Sequence, residues 1–150
     1  MGLDMYLFAR RYISEYNENE KKVLDKINPI TKEILCGFPV RELVVEAMYW
    51  RKQNHIHKWF VDNVQNGKDD CGYYSVSHED LRNLLDTINK VLKSRKLAEE
   101  LLPTQSGFFS GGTKIDDYYF HGLTYTKNGI EKILSGMNEW DWIIQYHSSW

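Results

Sequence analysis

The stretch PVRELVVEAMYWRKQNHIHKWFVDNVQ, residues 39–65, decides the fold expected for this chain. Its apolar side chains recur at about 100° per residue, which predicts one long helix over the whole stretch, because proline suits the first turn of a helix. Along one side of this predicted helix the residues change from apolar to polar, whereas the opposite flank stays apolar. The polar residues of the second half are Arg51, Asn54, His55, Lys58 and Asp62.

A helix that is apolar on more than one side packs on more than one side, so we expect its polar sector to be partly enclosed. Enclosed polar groups need partners. Arg51 and His55 are one helical turn apart, so two cations with the amide of Asn54 could hold a phosphate or a carboxylate. The alternative is a solvated face on which Lys58 pairs with Asp62 and Arg51 pairs with a distant acid.

The loop 103–112 has the sequence PTQSGFFSGG, which is rich in glycine and contains two adjacent phenylalanines. Glycines allow the backbone to approach a ligand closely. Phe108 and Phe109 need cover, either from the protein or from a bound molecule. Gln105 and Ser106 add polar groups beside them. We therefore expect the polar helix sector and this loop to form the two walls of a pocket.

The remaining sequence alternates between strand and helix patterns. Strands are predicted at residues 3–8, 73–76 and 140–147. Residues 17–28 are predicted to form a short surface helix or an ordered loop that Pro29 ends, and helices are predicted at 78–102 after the N-cap Ser77 and at 116–135. Together these elements predict one α+β domain over residues 1–150. Its small, mainly antiparallel sheet has adjacent N-terminal and C-terminal strands and packs against three or four helices.

Composition narrows the classes of function. The 150 residues have a net charge of −2, so no broad nucleic-acid surface is expected, because such a surface needs a concentrated basic face. On a helix, His55 and His57 point about 200° apart, so they are not expected to share a metal ion. No familiar cofactor motif, signal peptide or membrane span is present in the pattern, which predicts a cytoplasmic protein without a cofactor.

Several strings resemble a family of small uncharacterised proteins encoded by bacteriophages and by prophage regions of bacterial genomes. They are MGLDMYL at 1–7, YWRK at 49–52, IHKWF at 56–60, DDC at 69–71, LPTQSGFF at 102–109 and SSW at 148–150. The resemblance implies a viral or mobile-element origin. Phage proteins of this size often act on the host, for example against a defence system, which is an association at the level of the class. Residues 17–35 depart from the family pattern, which allows a separate role for that segment.

Three hypotheses of function follow. The first is a non-enzymatic protein that binds a small anionic, nucleotide-like ligand. The second is an inhibitor that contacts a host or defence enzyme through exposed aromatic residues, and homo-oligomerisation also stays open. The third is a hydrolase acting on a nucleotide or nucleic acid, with His55 as acid or base and Asp62, Asp70 or Asp117 beside it. The residues predicted to bind the ligand are Arg51, Asn54, His55, Lys58, Asp62, Gln105, Ser106, Phe108, Phe109, Tyr118 and Tyr119.

Overall fold

A four-stranded antiparallel sheet is the frame of the molecule, in a computed structural model that describes residues 2–107 and 110–150. The strands follow the spatial order β2-β1-β4-β3. They are β1 (Asp4–Tyr12), β2 (Glu42–Arg51), β3 (Tyr73–Val76) and β4 (Ile143–Ser149). The first and last strands pair directly, with Tyr6 opposite His147. This confirms the predicted adjacency of the N-terminal and C-terminal strands.

Five α-helices accompany the sheet in the part of the chain that the structure describes. They are α1 (Glu18–Thr31), α2 (Asn54–Asn63), α3 (His78–Lys93), α4 (Ala98–Leu101) and α5 (Asp117–Gly136). Helix α3 begins with the predicted capping box, because Ser77 and Asp80 exchange hydrogen bonds. No helix within these described residues is long and apolar enough to cross a membrane. The predicted single α+β domain is confirmed.

One face of the sheet carries the core. On β1, the side chains of Met5, Leu7 and Ala9 are buried and alternate with the half-exposed Tyr6 and Phe8. Helices α3 and α5 pack together and add buried leucines and isoleucines to the same core. The helices thus lie on one side of the sheet, and the aromatic side chains of β1 face away from them.

The prediction of one helix over residues 39–65 is wrong for its first half, which forms β2. The β-branched and aromatic residues of this segment favour a strand. A bulge hides the strand period, because Leu7 lies opposite Met48 whereas Phe8 lies opposite Glu46. The extra residue, Ala47, shifts the alternation by one position, so the pattern resembles a helical period.

Helix boundaries also differ from the prediction at two points. Helix α1 continues past Pro29 to Thr31, because a proline removes only its own N–H from the ladder and the turn after it still forms, with Leu35 N–H donating to the carbonyl of Thr31. The helix expected over residues 78–102 is interrupted at Ser94, whose backbone is extended. A short 3₁₀ turn, Arg95–Leu97, then leads into α4.

Candidate functional site

A cleft of about 460 Å³ lies at the junction between β2 and α2. Its walls are the start of α2, the loop after Pro103 and the start of α5. Four of the residues predicted to bind a ligand line this cleft, namely Asn54, His55, Tyr118 and Tyr119. The volume falls within the range of small-molecule sites in proteins. The structure therefore brings the second half of the 39–65 stretch together with one side of the glycine-rich loop.

Asn54 fastens the glycine-rich loop to α2. Its side-chain amide donates to the carbonyls of Ser110 and Gly112, at 3.1 and 2.9 Å, and its oxygen accepts from the backbone N–H of Gln105 at 2.9 Å. The residue is buried, and all three of these side-chain hydrogen bonds join it to the loop. The side chain of Asn54 therefore shapes the cleft wall instead of binding a ligand directly.

His55 is buried and uncharged. Burial lowers its pKa from 6.5 to about 3. Its ring lies 4.1 Å from the ring of Tyr119, centroid to centroid. Within the described residues, its Nε2 atom has no hydrogen-bond partner, and the same holds for Oε1 of the neighbouring Gln53. Buried polar atoms without partners are rare in native proteins, so each needs an explanation.

The N-terminus of α2 opens at the cleft without a side-chain cap, because Gln53 makes no capping hydrogen bond. The N–H groups of Ile56 and His57 both donate to the Gln53 carbonyl. Those of Asn54 and His55 donate to no acceptor among the residues described. Free N–H groups and the positive end of the helix dipole favour an anion at such a position. The N-terminus of α5 differs, because the Asp116 carboxylate accepts from Tyr119 N–H at 3.3 Å.

Lys52 joins β2 to α2 and lies at the edge of the cleft. Its backbone has a φ of 57°, in the left-handed region that a lysine seldom adopts. Two glycines leave room for its side chain: a Cβ at Gly2 would lie 2.8 Å from Lys52 Cε, and one at Gly111 would lie 2.9 Å from Lys52 Cβ. Lys114 lines the same cleft. The cleft is therefore lined by two lysines and not by the predicted cations Arg51 and Lys58.

Tyr118 and Tyr119 occupy different positions in the wall. The hydroxyl of Tyr118 donates to the backbone carbonyl of Arg51 at 3.0 Å, and its ring remains exposed. Tyr119 is buried, its hydroxyl donates to the Leu102 carbonyl at 2.8 Å, and burial raises its pKa. Tyr118 thus offers an accessible aromatic ring, whereas Tyr119 holds α5 against the loop.

The other predicted site residues of the 39–65 stretch lie outside the cleft. Arg51 ends β2 and pairs with Asp4 at 3.2 Å. Lys58 pairs with Asp62 at 2.7 Å, and these two residues border a separate pocket of about 190 Å³. The exposed, ion-paired alternative describes these three side chains better than the phosphate grip, because Arg51 sits on a strand and no longer shares a helix face with His55.

The glycine-rich loop separates the cleft from a second, smaller hollow. Gln105 and Ser106 line this hollow of about 180 Å³ together with His57 and Asp69. There the buried His57 ring bridges the hydroxyl of Tyr146, at 2.7 Å, and the carboxylate of Asp69, at 2.9 Å. The predictions for Phe108 and Phe109 lie outside the described residues. Gln105 and Ser106 thus line the smaller hollow and not the cleft beside His55.

The carboxylates considered for hydrolysis do not converge on His55. Asp62 is paired with Lys58, Asp70 accepts from the Tyr74 hydroxyl, and the Asp117 side chain is exposed beside Arg95. A histidine with a pKa of about 3 is a weak base at neutral pH. The geometry in the described residues therefore favours binding over acid–base chemistry at His55.

Three kinds of comparison bear on identity. Family models, curated proteins and solved structures were compared with the chain, and none of them matches it. The site must therefore be interpreted from its own chemistry.

Sequence reasoning missed the two lysines and Gln53. The signal for Lys52 was its place directly before the uncapped start of α2, and the prediction of an uninterrupted helix concealed that start. Lys114 follows the glycines of the loop, and it reaches the cleft only because the start of α5 lies against α2, where the rings of Tyr119 and His55 are in contact.

Proposed function

We propose that this protein binds a small anionic, nucleotide-like ligand in the cleft between α2 and α5. The observation that carries the proposal is the uncapped N-terminus of α2, which opens on the cleft beside the buried, unpartnered ring nitrogen of His55. The backbone N–H groups of Asn54 and His55 would donate hydrogen bonds to a phosphate or carboxylate oxygen, and Lys52 and Lys114 would neutralise its charge.

The proposal that the ligand contains a nucleotide base rests on two further side chains of the cleft wall, Tyr118 and His55. The exposed ring of Tyr118 offers a surface for stacking a planar base. His55 is neutral, so its unpartnered Nε2 could donate to or accept from one polar group of a base, according to the tautomer of the ring. The resemblance to phage-encoded proteins supports the further proposal that the ligand is a host nucleotide signal, which the protein would sequester to counter a defence system.

The test is binding of a defined panel of anions. Nucleoside monophosphates, cyclic dinucleotides and inorganic phosphate are titrated by calorimetry and by thermal unfolding. A bound ligand at 100 times its Kd stabilises the fold by about 2.7 kcal/mol, which is about 5–10 °C for a domain of this size.

The matched variants are Lys52→Ala and Lys114→Ala in the cleft and Lys132→Ala on the exposed part of α5. Each cleft variant should weaken binding about tenfold or more, because a charged hydrogen bond is lost, whereas the Lys132 variant should bind like the wild type. A panel that leaves the melting temperature unchanged would contradict the proposal, as would equal losses in all three variants.

A second candidate function rests on the outer face of the sheet. Side chains of four strands form a row of rings across it, with centroids 5.3 Å apart between Tyr49 and Tyr6, 6.0 Å between Tyr6 and His147, and 4.2 Å between His147 and Tyr73. Rings on an exposed surface are frequent hot spots of protein interfaces. This row favours an inhibitor that contacts a host or defence enzyme.

Capture from host lysate separates this candidate from the first. Tyr73→Ser and Tyr49→Ser should abolish capture of a partner protein, whereas Tyr125→Ser, at an exposed position on α5, should not. If the row only shields the sheet, no partner will depend on these tyrosines.

A further inference from the structure

Helix α1 carries an apolar stripe that does not belong to the core. The stripe consists of Val23, Ile27, Ile30 and Ile34, which lie within about 60° of one another around the helix and the turn that continues it. Ile30 is 79% exposed and Ile34 is 81% exposed. The side of α1 that packs on the domain is a different one, where Leu24 is buried.

Exposed isoleucines in a row of this kind indicate a surface that another helix covers. Anchors at intervals of three and four residues are the pattern by which an amphipathic helix packs into a partner. The stripe extends from Val23 to Ile34, about 17 Å along the axis. Helix α1 itself has 14 residues and spans about 21 Å. An occupant of the same length and apolarity fits it, and the charges beside the stripe identify that occupant.

Three charged residues follow one flank of the stripe, namely Lys22, Lys26 and Glu33. None of them forms an ion pair within residues 2–107 and 110–150. When two copies of α1 pack antiparallel with Ile27 of one copy level with Ile30 of the other, this flank faces the same flank of the partner. Glu33 of each copy then lies midway, along the helix, between Lys22 and Lys26 of the other copy. Opposite charges thus meet on both sides of the two-fold axis.

A parallel arrangement lacks this complementarity. It would place the lysine flank against the side of the partner that contains Leu24, and that side is already buried in the partner's own domain. We therefore propose that a second copy of this chain covers the apolar stripe, through an antiparallel, two-fold symmetric contact between the two α1 helices.

The contact is small. A helix of about 21 Å buries less area than the interfaces of stable dimers, so the association is reversible and its Kd falls in the micromolar range. Sedimentation velocity on the full chain between about 10 and 500 μM tests this range directly. The wild type should shift from monomer to dimer with concentration.

Two variants separate the stripe from other apolar positions. The double change Ile30→Asp with Ile34→Asp should raise the Kd about 100-fold or more, because the new carboxylates would be buried against Ile27 and Val23 of the other copy without partners. The matched control is Ile143→Asp, which places the same side chain at another exposed isoleucine, on β4, and should leave the Kd unchanged. Circular dichroism establishes that each variant is folded.

A charge exchange tests the antiparallel arrangement. Glu33→Lys alone, and Lys22→Glu together with Lys26→Glu, should each weaken the dimer about three- to tenfold. All three changes combined should restore the wild-type Kd, because both pairs between the copies are rebuilt in reverse. The control is Asp25→Lys, on the opposite side of α1, which should have no effect.

Three results would overturn the proposal. The first is a wild type that stays monomeric throughout the concentration range. The second is a dimer that survives the paired aspartate changes, since it would then form through another face. The third is a combined charge exchange that fails to restore association, since the copies would then not pack antiparallel.

Discussion

At the start of α2 polar side chains lie inside the protein, whereas along α1 apolar side chains lie outside it. Asn54 and His55 are buried beside a cleft, and His55 leaves a ring nitrogen without a partner in the described chain. Ile30 and Ile34 are exposed although the core of the domain is well packed without them. Each region departs from the usual rule that polar groups face water and apolar groups face the core.

This difference indicates what kind of partner each region would bind. A buried polar group that lacks a hydrogen bond is costly, so its best explanation is a small molecule that supplies the bond. An exposed apolar stripe costs the monomer little stability. Covering it with another apolar surface is favourable, because apolar area is then removed from water. The proposed ligand of the cleft and the proposed second copy on α1 follow from these opposite departures, and stability measurements can test both.

The largest expected effect is that of Asn54→Ala, because its three hydrogen bonds hold the glycine-rich loop. We expect the free energy of unfolding to fall by about 2–4 kcal/mol, measured by urea denaturation. Asn63→Ala is the matched control, since the Asn63 side chain makes a single hydrogen bond, to the Trp59 carbonyl of its own helix. It should lose less than about 1 kcal/mol. Equal losses would mean that Asn54 does not fasten the loop.

The second effect is acid destabilisation through His55. Its pKa is about 3 in the folded protein and about 6.5 when unfolded. Below pH 6.5 the unfolded chain binds a proton at this residue and the folded chain does not, so stability present above pH 6.5 is lost as the pH falls towards 3. At pH 5 the loss is about 2 kcal/mol. Between pH 7 and pH 5 the free energy of unfolding of the wild type should therefore fall by about 2 kcal/mol more than that of His55→Leu, measured by urea denaturation. Equal losses in the two proteins would contradict a neutral, buried His55.

The third effect has the opposite sign. His55→Leu replaces a buried imidazole that has an unpartnered nitrogen by an apolar side chain of similar size. We expect stability at pH 7 to stay the same or to rise by about 1 kcal/mol, while binding of the anion panel is lost. A large drop in melting temperature would show that the imidazole contributes to packing and is not kept for a ligand.

The smallest effect belongs to α1. Ile30→Ala should change stability by less than about 0.5 kcal/mol at concentrations where the protein is monomeric, because the side chain is exposed. Ile56→Ala is the matched control within α2. Ile56 is fully buried, so this change should cost about 2–5 kcal/mol. If the two variants lost similar amounts, the stripe on α1 would be part of the core.

The fold was largely predictable from local pattern, and the site was predictable only in part. The alternation in β1 and the capping box at Ser77 are local signals, and both give the correct element. The bulge at Ala47 could not be predicted from local pattern, because it is defined only by the pairing of β2 with β1. Reading β2 as a helix placed Arg51 beside His55, although the strand points it towards Asp4.

Asn54, His55, Tyr118 and Tyr119 were nevertheless assigned together to one ligand site, and the structure gathers them around one cleft. The reason is that the helical half of the 39–65 stretch was interpreted correctly. Lys114 could not be assigned, because its place depends on how the start of α5 lies against α2, and the sequence alone gives no measure of that contact.

The pairing of β1 with β4 has a consequence for biosynthesis. Asp4 pairs with Ser149, so the two central strands come from opposite ends of this sequence. During translation β1 is made before β4, so one edge of β1 stays unpaired until β4 has been made. Contacts between such distant residues slow folding, and until they form the unpaired strand edge can pair with other chains.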